Sequence, residues 1–139
     1  MKIMVIDGQG GRMGKSIVEQ VKSSLPEEEI LAIGTNSTAT AAMLKAGADE
    51  GATGENPAIV GSRIADVIIG PIGIVIADSL LGEITPDMAV AIGQSRAKKI
   101  LIPVNRCQNF VVGCEELPLG EYVKLVVEEV KKMKTGAGC

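Results

Sequence analysis

At 139 residues, with 46% hydrophobic and 22% charged residues and a formal charge of −3, the chain has the size and make-up of one globular domain. The absence of histidine excludes imidazole acid–base catalysis and histidine-ligated metal, and the mildly acidic balance offers no cationic footprint for nucleic acid. Phe110 and Tyr122 are the only aromatic residues, so stacking platforms for single-stranded bases are missing too.

The elements follow in order. Residues 2–7 (KIMVID) read as a buried strand, too short and too weakly flanked for a signal sequence. Residues 14–25 carry Ile17, Val18, Val21 and Leu25 on one helical stripe, and Pro26 closes that region. Residues 29–35 are a second strand. Ser37 or Thr38 can cap a helix that Gly47 ends. Residues 48–53 form a short edge strand. Asn56 suits an N-cap, with Pro57 at the first helical position. Residues 66–70 are a strand, "PIG" turns the chain, and "IVIADSLLGE" reads as an apolar helix. The longest apolar region, 67–81, falls short of the ~20 residues that a membrane span needs. Thr85, Pro86 and Asp87 restart a helix to about Ala97. Residues 98–104 are the next strand, 109–114 a final short one, and 118–134 the last helix. That helix places Tyr122, Leu125, Val126, Val130 and Met133 on one face, with Glu128 and Lys132 spaced for an exposed pair.

Strands that are apolar throughout, alternating with helices, require a parallel sheet covered on both faces. The expected fold is therefore α/β: a doubly wound, mostly parallel, three-layered Rossmann-like sheet with an order near 3-2-1-4-5. Residues 1–134 form one domain, and 135–139 a flexible tail.

In such a sheet, ligands sit beyond the carboxyl ends of the strands. The turn after the first strand is Gly8-Gln9-Gly10-Gly11-Arg12-Met13-Gly14. Its glycines fit a G-x-x-G-x-x-G spacing at Gly8, Gly11 and Gly14, which lets a pyrophosphate approach the backbone at a helix N-terminus. A Walker A loop ending in Gly14-Lys15-Ser16 would need glycine where Gln9 stands. A bare strand–helix turn without ligand is the remaining alternative.

The second strand ends without the carboxylate that usually receives a ribose 2′-hydroxyl; Thr35, Asn36 and Ser37 stand there instead. With Arg12 nearby, this favours NADP over NAD if the ligand is a dinucleotide. The same residues can alternatively serve only as helix caps. A second glycine turn, Gly70-Pro71-Ile72-Gly73, reaches the same sheet edge. Asn105 and Arg106 end the fifth strand, Arg106 as a candidate clamp for a carboxylate or phosphate. Beside it, Cys107 is either a reactive thiol or a small inert residue. The odd set of Cys107, Cys114 and Cys139 points to reduced thiols and a cytoplasmic protein, and gives no zinc spacing. Asp78, inside the apolar helix, is either a functional carboxylate or, the favoured reading, a cap or pair at a subunit contact, with a homodimer covering that helix.

The stretch "GQGGRMG" resembles the phosphate loop of dihydrodipicolinate reductases. That resemblance implies pyridine-nucleotide binding at Gly8, Gly11, Arg12, Met13 and Gly14. The family's histidine-dependent catalytic segment and second domain have no counterpart here, so its reaction is not implied. Over residues 1–130, "IDGQGG", "GTNSTATAAMLKAGA", "GATGENPAIV" and "ADVIIGPIGIVIADSLLGEITPDMAVAIGQSRAKKILIPVNRC" resemble a family of small bacterial proteins of unknown function, mainly from anaerobic Firmicutes. This implies a stand-alone Rossmann-like protein and no assigned activity.

Three functions follow. The favoured one is a module that binds a phosphate-containing nucleotide, NADP above others, as a sensor or partner subunit. The second is an NADP-dependent reductase whose site a dimer partner completes, with Tyr122, Lys15, Asp78 or Cys107 as proton donor. The third is an interaction protein that binds no ligand. No metal is expected.

Overall fold

A computed structural model describes residues 1–104 and 108–136. It is a Rossmann-like α/β fold. Five parallel strands, β1 (Lys2–Asp7), β2 (Glu29–Gly34), β3 (Glu50–Thr53), β4 (Val67–Pro71) and β5 (Lys98–Ile102), lie in the order β3-β2-β1-β4-β5. The helices are α1 (Arg12–Ser24), α2 (Ser37–Lys45), α3 (Glu55–Ile64), α4 (Pro86–Gln94) and α5 (Leu119–Thr135).

The strands are apolar throughout because alternate side chains feed two cores. Ile3 and Val5 of β1 join the layer of α1 and α5, together with Val67 and Ile69 of β4. Met4, Ile6 and Ile68 point the other way, into the layer of α3 and α4. β1 is central, paired Val5 to Ala32 on one side and Val5 to Ile69 on the other. The chain direction reverses its winding between β1 and β4, which puts the switch point beside the turn that follows β1.

Several local expectations change. The segment 74–83 is not a helix. A single 3-10 turn (Ile72–Val75) gives way to a folded-back loop in which Asp78, Leu80 and Leu81 take left-handed φ values of 65°, 56° and 55°, followed by Gly82 at 85°. Ile74, Leu80 and Ile84 all reach the α3–α4 core from this folded-back loop. The segment is therefore not the apolar helix on which the expected dimer contact rests: Leu80 packs inside while Leu81 stands exposed. Asp78 is exposed in this loop. The cap of α3 is Gly54, at φ 103°, rather than Asn56, and Pro57 falls on the third helical residue, where its missing N–H is still no loss. Asn36 caps α2, its Oδ1 accepting the Ala39 N–H at 2.9 Å. Residues 109–114 are turns and irregular chain, not a strand. On α5, Leu125 is half exposed, while Val123 and Val127 join Tyr122, Val126 and Val130 inside. Glu129, not Glu128, receives Lys132, at 3.9 Å.

Candidate ligand-binding site

The turn between β1 and α1 is built on a buried carboxylate. Asp7 ends β1 and its side chain bends back under the loop. Oδ1 accepts the Gly8 N–H at 2.8 Å and Oδ2 the Gly14 N–H at 2.6 Å. Burial pushes the Asp7 carboxyl above its ordinary range, against the pull of the Gly14, Gly8 and Met13 N–H groups, and the charge of Glu83 acts in the same direction as burial. Asp7 therefore serves the positive end of α1 from inside the fold. Gly11 caps the helix at φ 73°, its N–H donating to Gly8 O at 2.9 Å. A Cβ on Gly11 would stand 2.7 Å from the Ala39 Cα, so the first turns of α1 and α2 can approach only across a glycine.

The outer side of the same turn faces Glu83, which the folded-back loop after β4 carries across the carboxyl ends of β1 and β2. Glu83 Oε1 accepts the Gln9 N–H at 2.7 Å, and Oε2 accepts from Asn36 Nδ2 at 2.7 Å. Asn36 Nδ2 also donates to Gln9 O at 2.9 Å, which joins the ends of β1 and β2. Burial raises the Glu83 carboxyl, but the hydrogen bonds from Asn36 and Gln9 outweigh it and hold the group below the usual carboxylate range. The buried Thr35 Oγ1 lies against the same carboxylate and adds to the pull that lowers it, although it makes no hydrogen bond of good geometry among the described residues. The mouth of the sheet is thus a set of donors from two strand ends closed around an anion supplied by the chain itself.

The other sequence-derived residues fall around this cluster. Gly8 is buried, and a Cβ there would meet Thr35 Oγ1 at 2.5 Å and Glu83 Oε1 at 2.7 Å; Gly10 is open, with nothing within 4 Å of a Cβ. Gln9 and Arg12 are exposed, Met13 and Gly14 buried in the start of α1. Ser37 lies exposed in the first turn of α2. Gly70 and Pro71 end β4, and a Cβ at Gly70 would come within 2.6 Å of Ile6 O, so this glycine serves strand packing. Ile72 and Gly73 belong to the four-residue 3-10 turn, where Gly73 O accepts from the Ser79 hydroxyl. Asn105, Arg106 and Cys107 lie outside the described residues.

Two residues of this site were missed in the sequence. Asp7 looked like a strand end, and its position one residue before a glycine turn was the available signal. Glu83 was hidden inside a segment with helical composition. Tyr122 is held away from any donor role, since its hydroxyl donates to Glu115 O at 2.6 Å and accepts from Leu117 N at 3.2 Å. The half-buried Cys114 is a free thiol. Among the described residues no three potential metal ligands cluster, and no helix is long and apolar enough to cross a membrane.

Compared with known proteins, residues 2–135 match a family described as Domain of unknown function (DUF3842). No curated protein matches the chain. Among solved structures it is similar to a dodecameric FMN-dependent UbiX-like decarboxylase from Escherichia coli O157:H7, with 18% identity over 94% of this chain and 76% of that one and a TM-score of 0.46.

Proposed function

The chain belongs to this family of domains of unknown function, and for it we propose a role as a binding module for a phosphate-containing nucleotide, taken up at the turn between β1 and α1 in exchange for the Glu83 carboxylate. The observation that carries this reading is the coordination of Glu83. The Gln9 N–H and Asn36 Nδ2 hold its two oxygens at 2.7 Å each, with the buried Thr35 Oγ1 beside them and not in good hydrogen-bonding geometry. Donors that stabilise one anion stabilise another of similar shape, and a phosphoryl group offers one more oxygen than a carboxylate for Thr35 to meet. The site lies at the switch point of a parallel sheet, where ligands of this architecture enter.

Among nucleotides we favour an NADP-type dinucleotide. The residues after β2 are Thr35, Asn36 and Ser37, which bring no carboxylate of their own, so that Glu83 is the acid to be displaced there, and Arg12 is exposed on the adjoining turn. Asn36 is fully engaged by Ala39, Gln9 and Glu83, so Ser37 and Arg12 are left to meet that phosphate. The reading requires no chemistry from the chain.

A thermal-shift panel of ATP, NAD, NADP, FMN, FAD and coenzyme A tests it. NADP is expected to give the largest saturable shift, and Arg12→Ala to weaken NADP more than NAD. No shift with any of these ligands would overturn the binding role, and equal losses for NAD and NADP would overturn the part given to Arg12.

A further inference from the structure

The chain between the 3-10 turn and α4 holds a shape that its own residues resist. Asp78, Leu80 and Leu81 take φ values of 65°, 56° and 55°, a region that crowds the Cβ of an L residue against the backbone. Such residues persist only where surrounding contacts hold them, and they gather in segments that switch. The holding contacts here are of two kinds. Within the loop, Asp78 N–H donates to Ile84 O at 2.7 Å and Ile84 N–H to Ser79 O at 3.2 Å. Across the fold, Glu83 Oε1 accepts the Gln9 N–H, and Oε2 accepts from Asn36 Nδ2.

The loop lies on the glycine turn itself. A Cβ built on Gly8 would stand 2.7 Å from Glu83 Oε1 and 3.1 Å from Leu80 Cδ1. The space beside Gly8 is therefore filled by two side chains of the loop. Leu80 is 6% exposed in this position, whereas its neighbour Leu81 is 94% exposed. An anion that takes the place of the Glu83 carboxylate arrives joined to a ribose or to a second phosphoryl group. That body needs the volume of the Glu83 stem and of Leu80, so a rotation of the Glu83 side chain alone does not open the site. The loop that carries both has to withdraw.

Effects of opposite sign decide how firmly the loop stays down. Burial of Leu80 and the hydrogen bonds of Glu83 hold it in place. The left-handed residues favour release, because they relax to ordinary φ values once those contacts are gone. A segment under such opposed demands has two states, and a ligand that fits only one of them shifts the population towards it. The apparent affinity of that ligand is reduced by the fraction of chains in the competent state.

We propose that residues 78–83 are an autoinhibitory lid over the turn between β1 and α1, latched by Glu83 on Gln9 and Asn36 and displaced as one segment by an incoming nucleotide. The proposal rests on the nucleotide-binding reading and adds the regulation of that site. The vacant site is a covered one, and occupancy brings Leu80 into water beside Leu81.

Amide hydrogen exchange of the full chain, read by mass spectrometry on peptides spanning residues 76–85, tests the lid, with calorimetric titration of NADP on the same samples. Without nucleotide, Glu83→Ala should speed exchange of the Asp78, Gly82 and Ile84 amides about tenfold, while peptides of β1 and β4 keep the rates of the natural chain. Saturating NADP should speed the same loop amides in the natural chain, the reverse of the protection that a ligand brings to residues it covers. Loop exchange that Glu83→Ala leaves unchanged overturns the latch. Bound NADP that leaves the loop unchanged, or slows it, overturns the lid, and in both cases the nucleotide-binding reading stands. NADP that binds neither protein overturns that reading and the lid with it.

Discussion

Gly14 N–H donates to Asp7 Oδ2 across 2.6 Å, so the helix that opens the glycine turn is anchored to a carboxylate at the end of the central strand. Asp7 is 6% exposed and serves two amides at once. Replacing it with alanine would leave both N–H groups buried without a partner, and a loss of about 2–4 kcal/mol is expected in urea unfolding. The pH dependence has a definite sign. Burial raises the folded carboxyl above its ordinary 3.8, so the stability Asp7 contributes is fully present below that value and is lost as pH rises through the raised folded one. Asp7→Asn cannot titrate. Its deficit relative to the natural chain should therefore shrink as urea melts are taken from acid towards neutral pH, and a deficit that grows instead would refute the assignment of burial as the dominant cause.

Glu28 behaves in the opposite way. It is 4% exposed and accepts from the N-terminal ammonium at 2.7 Å, with Lys134 Nζ at 2.7 Å on its other oxygen. The Lys134 and N-terminal hydrogen bonds hold its carboxyl below the ordinary 4.5, so its contribution is present above that value and is lost as pH falls through the lowered folded value. Glu28→Gln should lower stability by about 1–2 kcal/mol near neutral pH and by progressively less in acid. Equal losses at both extremes would show that packing, and not charge, is what the glutamate supplies.

Leu81 is 94% exposed yet held at φ 55°, in a loop pinned by Asp78 N–H to Ile84 O at 2.7 Å. A left-handed leucine is strained by about 1–2 kcal/mol, while glycine loses about 0.5–1 kcal/mol more backbone freedom on folding. Leu81→Gly should therefore stabilise the chain by about 0.5–1 kcal/mol, read from the urea midpoint at unchanged slope. A clear destabilisation would mean that the loop does not carry this strain.

The parts of the fold that were legible in the sequence are those where one physical requirement acts alone. The strands of β1 and β4 announce themselves because apolar residues facing two cores leave no polar position. The Thr85-Pro86 start of α4 is likewise plain, since cap and proline act within four residues, and Thr85 Oγ1 accepts the Met88 N–H at 3.2 Å. What could not be read depends on distant parts of the chain. Residues 76–84 have helical composition, but the chain takes left-handed turns at Asp78, Leu80, Leu81 and Gly82 and closes on itself through Asp78 N–H to Ile84 O, a tertiary outcome that local propensity does not encode. Because Glu83 sits in that segment, its meeting with Gln9, 74 residues earlier, was invisible too. The glycine spacing at Gly8, Gly11 and Gly14 located the turn. It did not reveal that Asp7 and Glu83 take several of the turn's own amides.

That competition is where the account is most exposed. If Glu83 holds the place of a phosphoryl group, removing its charge must free the site. Calorimetric titration of NADP into the natural chain and into Glu83→Ala, at equal ionic strength and pH, measures this directly. Saturable binding to both, at least about tenfold tighter in Glu83→Ala, is the expected result. Binding to neither protein, or an affinity that Glu83→Ala leaves unchanged, would contradict it.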